Sequence, residues 1–412
     1  MRIKILRLKT PRCHVLAMLM ASLSLGVMSI GIAAEAQQAS ADDINLWQQP
    51  VNAQWQAYQQ QSAAALALLA QQLQAELTAA KLSEPRPATK AKEFGITAIE
   101  DSATLAAVLS YQTVLGGWSK RTDMRQPRQL GQLAGSEPSY IPTFDNGATS
   151  TQIRWLASYY PKAGAADQVK IRDALIRAVE FLLAAQYPNG GFAQSYPLRG
   201  SYHDAVTLND NVMTDLLRVL WEVGTQPNYQ FLSADLRAKA LVAFANGVSW
   251  LVSAQVVVDG KRTIWAAQHH PLTGEPVAAR KFEKISLVSS ESAAVLQLLL
   301  DTSTQSPGVL PALCSGVAWL ERHQIRDKTW QKHEQGSALV EKKGALTWAR
   351  FYSLPQQQPV FFDRDGQTYH DVNQLSLERQ HGYAWYQSNA KKLLKAWQKQ
   401  PQLAVQCSQG SD

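Results

Sequence analysis

Apolar residues recur at helical spacing along most of this chain, and polar clusters and glycine turns interrupt them at wide intervals. From about Gln37 to Lys81 the sequence is rich in Ala, Gln and Leu. Leu66, Leu68, Leu69, Leu73 and Leu77 predict an N-terminal helical lead-in. The proline-containing stretch from Ser83 to Thr89 separates it from the main body. Four later segments share a helix ending in Gln, a turn, and then an aromatic residue. They are Gln112 with Gly116-Gly117-Trp118, Gln186 with Gly190-Gly191-Phe192, Gln255 with Trp265, and Gln324 with Trp330. The glutamines stand 74, 69 and 69 positions apart, too far for a solenoid of tightly looped helix pairs. Such a period suits helix pairs joined by long loops.

A second set of helices is expected to begin near Thr149, Asn211, Ser292 and Tyr383. Ile153, Leu156 and Ala157 form the apolar face of the first, and Met213, Leu216, Leu217 and Leu220 that of the second. Long strands are not expected, and only short candidates such as Val256 to Val258 stand out. The expected fold class is all-α, an (α/α) toroid of paired helices with long functional loops; an irregular helical bundle is the alternative.

Composition adds location. Arg2, Lys4, Arg7, Lys9 and Arg12 precede an apolar run from Val15 to about Ala34, and Ala34-Glu35-Ala36 supplies small residues for cleavage. Residues 1–36 therefore read as a signal peptide, with a membrane anchor as the alternative because the run approaches spanning length. The expected mature protein is exported, periplasmic or extracellular, with no stable membrane insertion. Removing residues 1–36 takes away five cations and one anion, which lowers the formal charge from +7 to +3. So mild a charge argues against a nucleic-acid partner. Cys314 and Cys407 then remain, and an oxidising compartment would let them pair, although sequence supplies no geometry.

Polar clusters precede three second-set helices: Asp145-Asn146-Gly147, Asn209-Asp210-Asn211 and Ser289-Ser290-Glu291-Ser292. Each has the chemistry of an N-cap, the simplest explanation of any one of them. In a toroid, however, equivalent helix ends share a rim, so the loops would converge. Asp145 and Asp210 then become hard oxygen ligands suited to Ca²⁺, with Asn146 adding a neutral oxygen. No histidine pair has zinc spacing: His269 and His270 are adjacent, and His203 reads as a polar or substrate contact. Arg280 and Lys281 precede the third cluster, Arg350 lies in Leu346-Thr347-Trp348-Ala349-Arg350-Phe351-Tyr352, and Arg364 lies in Phe361-Phe362-Asp363-Arg364-Asp365-Gly366. Arginines among aromatic residues suit the bidentate grip of a carboxylate beside a sugar ring, which fits an acidic polysaccharide.

From about Ile96 to Trp397 the chain resembles the family 10 polysaccharide lyases, which are pectate lyases. Gly116-Gly117-Trp118-Ser119-Lys120 and Thr143-Phe144-Asp145-Asn146-Gly147-Ala148-Thr149 carry the resemblance first. Ala184 to Phe192, Tyr196-Pro197-Leu198-Arg199, Tyr202 to Asn211 and the three arginine segments follow in order. The resemblance implies a toroid and calcium-assisted β-elimination of α-1,4-polygalacturonate to 4,5-unsaturated oligogalacturonides. It implies that Asp145, Asn146 and Asp210 serve calcium, that Arg280 is the Brønsted base, and that Lys120, Asp145, Arg350 and Arg364 bind substrate. Ser119 stands where the family generally has Pro, His270 where it has Asp, and Lys284-Ile285 and Val288-Ser289 where Pro and Gly are more typical.

An arginine base is chemically awkward, because its free pKa exceeds about 12. Nearby calcium would favour the neutral form and substrate carboxylates would oppose it, so a purely electrostatic role for Arg280 stays open. A glycoside hydrolase using Asp145 and Asp210 as acid and base is a rival. So is an inactive periplasmic protein that binds oligogalacturonate. The expected organisation is a signal peptide over 1–36, the lead-in over 37–85 and a catalytic domain over 86–405, working as a monomer.

Overall fold

The computed structural model describes residues 51–91, 99–136, 141–302, 306–333 and 336–409. The signal-peptide reading lies outside them. Among the described residues no helix is long and apolar enough to cross a membrane.

The lead-in contains one long helix, α1 (Ala53–Ala80), capped by the Asn52 side chain and closed by Lys81 in the left-handed region. Its buried stripe is Trp55, Tyr58, Ser62, Leu69 and Leu77, whereas Leu68 is 43% exposed. The leucine-centred face expected from sequence is therefore rotated, because aromatic residues earlier in the helix take the contact with the body. The Tyr58 hydroxyl donates to Ala185 O at 2.8 Å, and its ring packs 5.0 Å from that of Tyr187.

Among the described residues, eight helices build the body in two layers. One layer contains α2 (Ser102–Ser110), α4 (Ala165–Ala185), α6 (Ala234–Ser253) and α8 (Val309–Arg322). The other contains α3 (Ser150–Tyr159), α5 (Val212–Thr225), α7 (Ser289–Thr302) and α10 (Ala390–Trp397), with short α9 (Leu377–Gly382) just before α10. Within each layer every helix packs on the next in order, and α3, α5, α7 and α10 pack on α4, α6, α8 and α8. The apolar faces read from sequence are buried: Ile153, Leu156 and Ala157 on α3, and Met213, Leu216, Leu217 and Leu220 on α5. The fourth helix of the second set begins at Ala390, not near Tyr383, which has extended backbone after α9. A last helix, α11 (Pro401–Gln409), is tied to α8 by a Cys314–Cys407 disulfide, with Cα atoms 5.5 Å apart.

The repeated glutamine has a backbone role. Gln112 Nε2 donates to Gly116 O at 2.8 Å and Ala174 O at 2.9 Å. Gln186 Nε2 donates to Gly190 O at 3.0 Å and Ala243 O at 2.8 Å. Gln255 Nε2 donates to Thr263 O at 2.9 Å and Ala312 O at 3.1 Å. Each amide closes its own turn and pins it to the next helix of the same layer. The aromatic residue then folds under the turn. Trp118 and Trp265 donate their indole N–H to Val108 O and Leu251 O, four residues before Gln112 and Gln255.

In the fourth unit this partner is Trp348, which is buried and donates to Leu320 O at 2.8 Å. Trp330, the residue expected there, lies half-buried on a strand, 5.2 Å from Tyr386. A hairpin of Ile325–His333 and Gly336–Ala349 is inserted between glutamine and aromatic residue. It corrects the expectation that long strands are absent. Its exposed positions come in runs, Gln331 to His333 and Glu341 to Gly344, so it lacks the alternation that announces a half-buried strand.

The Gly-Gly turns leave no room for a side chain. Gly190 has φ +97°, and a Cβ there would stand 2.3 Å from Asn246 O. Gly200 also has positive φ but open space around it. Gly190→Ala should therefore cost about 3 kcal/mol or more, and Gly200→Ala only about 1–2 kcal/mol. Urea unfolding of both variants checks the difference, and equal losses would contradict the close approach to α6.

Candidate active site

The loops that precede α3 and α5 do not act as N-caps. Thr149 and Asn211, the residues at those positions, make no side-chain cap bond, and both have positive φ (67° and 62°). Asn146 and Asp210 are also left-handed, at 53° and 52°. Two short 3₁₀ turns, Asp145–Gly147 and Asn209–Asn211, thus hold several non-glycine residues in a costly conformation. The serines of the third cluster bond elsewhere: Ser289 Oγ donates to Ala349 O at 2.6 Å, and Ser292 Oγ accepts from Trp265 N at 3.0 Å. The capping explanation fails at all three clusters.

What the loops do is converge. Lys120, Asp145, Asn146, Asp210 and Arg280 line one cavity of about 240 Å³, together with Gln194, Tyr202, His203, Gln268, Glu283 and Tyr383. Lys120 Nζ lies 2.6 Å from Asp145 Oδ2. The other Asp145 oxygen is buried with no hydrogen-bond partner among the described residues, as are Gln194 Oε1 and Gln268 Oε1. Buried acceptors without donors are costly, and these oxygens are available to a cation or to a ligand's hydroxyls. Among the described residues no group of three or more His, Cys, Asp or Glu side chains is placed to hold a metal alone. A cation here would need amide oxygens or ligand oxygens beside Asp145 and Asp210. Orphaned Asp145 Oδ1 and the all-oxygen donor set fit Ca²⁺ on those terms.

Asp210 keeps 39% of its side chain open to the cavity, yet its walls deny it full solvation. Burial raises its pKa, Arg350 opposes the rise, and Asp145, Glu291 and Glu283 add to it, giving about 6. His203, stacked on Tyr202 with centroids 3.9 Å apart, is pushed down to about 3 by burial and by Arg199, Lys120 and Arg280. It is neutral throughout the useful pH range, and its Nδ1 lies 2.7 Å from Ser201 Oγ.

The three arginines take separate places. Arg280 is half-exposed in the cavity, and Glu283 grips it through two bonds, Nε to Oε2 at 2.7 Å and Nη2 to Oε1 at 2.5 Å. That pairing, stronger than the opposing desolvation, raises its pKa above the usual arginine range. Arg350 does not line the cavity. It is buried behind it, with Nη2 at 2.9 Å from Glu291 Oε1, 3.0 Å from Asn209 Oδ1 and 3.7 Å from Asp210 Oδ1. Arg364 also lies off the lining, pairing with Glu378 at 3.0 Å and stacking 4.4 Å from the Phe282 ring.

Glu283 and Glu291 were not singled out as site residues from sequence. Glu283 was detectable as an acid three positions after Arg280; Glu291 was masked by the serines around it.

The family model for pectic acid lyases matches residues 112–394. Among solved structures, the chain is similar to the family 10 polysaccharide lyase from Cellvibrio cellulosa, with 36% identity and a TM-score of 0.66, over 73% of this chain and 92% of that one. It is similar as well to a mutant of a family 10 polysaccharide lyase from the same organism in complex with trigalacturonic acid. There the identity is 35% and the TM-score 0.66, over 74% of this chain and 94% of that one. No curated protein matches.

Two outcomes follow from the burial of these charges. Arg350→Ala leaves Glu291 buried without its cation and should cost about 3–5 kcal/mol of stability; an unchanged denaturation midpoint would show that Arg350 serves only a ligand. Asp210, with a folded pKa above its unfolded value, adds stability that is full below about pH 4 and lost as pH rises through about 6. The melting temperature of Asp210→Asn, measured in chelator, should therefore gain on the parent by about 2 °C between pH 4 and pH 7. A flat difference would contradict the raised pKa.

Proposed function

This chain belongs to the pectic acid lyase family and is a pectate lyase, and from that premise we propose that it opens polygalacturonate by calcium-assisted β-elimination in the cavity of Asp145, Asp210 and Arg280. The observation that carries this reading is convergence. Lys120, Asp145, Asn146, Asp210 and Arg280 come from four separate segments and line one cavity that contains orphaned oxygen acceptors. The complex of a similar lyase with trigalacturonic acid supports oligogalacturonate as the ligand.

In this reading Asp145, Asn146 and Asp210 hold Ca²⁺, and the bound ion would neutralise a uronate carboxylate and so acidify its C5 proton. Lys120, already beside Asp145, shares its charge with the same carboxylate. Tyr202 and His203 present a stacked aromatic pair to the sugar, and neutral His203 adds no repulsion toward Lys120 or Arg280. Arg280, once parted from Glu283 and after giving its own proton to water, takes the C5 proton. The electrons left behind form the C4–C5 double bond, and the glycosidic oxygen at C4 departs and gains a proton from water.

Glu283 holds Arg280 as a cation before substrate enters, and a protonated guanidinium accepts nothing. The pair must open for Arg280 to act as base. Arg350 acts from behind by fixing Asp210 and Asn209, and Arg364 lies beyond Phe282, suited to a more distant uronate. The same proposal takes the two helix layers as an (α/α) toroid. It takes residues 1–36 as an export signal, 37–85 as the lead-in and 86–405 as the catalytic domain of a monomer working in the periplasm or outside the cell.

Polygalacturonate mixed with the protein should gain ultraviolet absorbance from the unsaturated uronide, and chelator should abolish the gain. Arg280→Ala should lose about 10²–10⁴-fold in kcat, the usual worth of a positioned acid or base. Reducing sugar without absorbance would identify a hydrolase instead, and binding without any product an inactive receptor.

A further inference from the structure

A second groove lies away from the catalytic cavity and has no role in the chemistry above. It measures about 830 Å³, and Leu300, Asp301, Ser388, Lys391, Lys392, Lys395 and Lys399 contribute to its walls. None of these lysines lines the catalytic cavity. Leu300 and Asp301 end α7, whose first turn carries Glu291, and ten helical residues put Asp301 about 15 Å from it.

The lysines are placed against the preferences of a helix. Lys391 and Lys392 stand in the first turn of α10, where the backbone dipole disfavours cations, and no acidic residue accompanies them there. Lys391 and Lys395 are like charges four positions apart on α10, which repel along one face, and Lys399 follows in the turn just past the helix end. Among the described residues none of the four has an ion-pair partner. The neighbouring carboxylate, Asp301, is committed to Arg218 at 3.0 Å and to Gln297 at 2.8 Å. Four unneutralised cations within nine residues make a local site for an extended polyanion.

We propose that this lysine groove is a second, non-catalytic binding site for polygalacturonate, which holds a distant stretch of the chain being cleaved. It rests on pectate being the substrate and not on the elimination mechanism. A row of carboxylates meets ammonium groups carried by α10 and the turn that follows it. Lysine suits this task, because a flexible point charge tolerates a sliding ligand where a rigid guanidinium fork fixes one. Chains too short to reach the groove gain nothing from it.

The test is the variant Lys391→Gln/Lys392→Gln/Lys395→Gln/Lys399→Gln, with an all-arginine version as charge-preserving control. Binding of long polygalacturonate in chelator, followed by calorimetry, is read without turnover and so stands apart from the lyase reading. The glutamine variant should bind long chains about tenfold more weakly, the order expected for losing four exposed charge pairs, and the arginine variant should bind as the parent does. With trigalacturonate as substrate, kcat/KM should be unchanged. Parent-like affinity of the glutamine variant for long chains would overturn the proposal, as would equal losses on trimer and polymer. Lysine-dependent binding to vesicles of anionic phospholipid, with no effect on polygalacturonate, would overturn it in favour of a membrane surface. A melting temperature at or above the parent's is expected, because the substitutions remove repulsion.

Discussion

A guanidinium taken out of water must be met by carboxylates, and at the heart of this protein that condition is set by Arg350. Its side chain touches Glu291 at the start of α7 and Asn209 in the turn before α5, with Asp210 just beyond. Its backbone joins the same junction: Arg350 N donates to Trp385 O at 2.7 Å, and Ser289 N donates to Arg350 O at 3.1 Å. Asp145, Glu283 and Glu291 all stand close enough to Asp210 to raise its pKa, and Arg350 opposes that rise. Burial opposes the charge of Arg350, but Glu291, with Tyr383 and Asp210, outweighs it and holds the group firmly protonated. Arg350 thereby lets an acidic cavity exist at the ends of helices that their own sequences do not cap.

Much of this plan was legible in the sequence because it follows helical periodicity. The stripes of α3 and α5, and the spacing of Gln112, Gln186 and Gln255, follow from packing rules that repeat along the chain. Asp145, Asn146 and Asp210 are placed together for a related reason, since equivalent loops of a layered helical array share an edge; Lys120 and Arg280 join them only through the family resemblance. The fourth unit was misread at Trp330, because the inserted hairpin moves its aromatic residue to Trp348. A ribbon whose exposed and covered positions come in runs has no hydrophobic period to read. The position of Arg350 is illegible for a different reason. Whether an arginine among aromatic residues faces a cavity or the carboxylates behind it is decided by the third dimension, and Glu291 gave no sign of its burial.

The resting site is also held away from its reactive state. Asp145 is shared with Lys120, Asp210 has a pKa pushed up to about 6, and Arg280 is closed by Glu283. Each constraint is relieved by what the proposed substrate complex would bring: a cation for the two aspartates and a uronate carboxylate for Lys120. Arg280 alone must give up its partner. In the proposed mechanism this makes the Arg280–Glu283 pair the element that separates a resting cavity from a working one, with Arg350 unchanged behind it.

The measurement that bears most directly on this division of labour is a crystal structure of the protein with trigalacturonate and calcium bound. The account requires Arg350 to keep Glu291 and Asn209 as partners while Arg280 leaves Glu283 and turns toward C5 of the bound uronate. An Arg350 side chain swung onto a ligand carboxylate, with Arg280 still closed on Glu283, would contradict it.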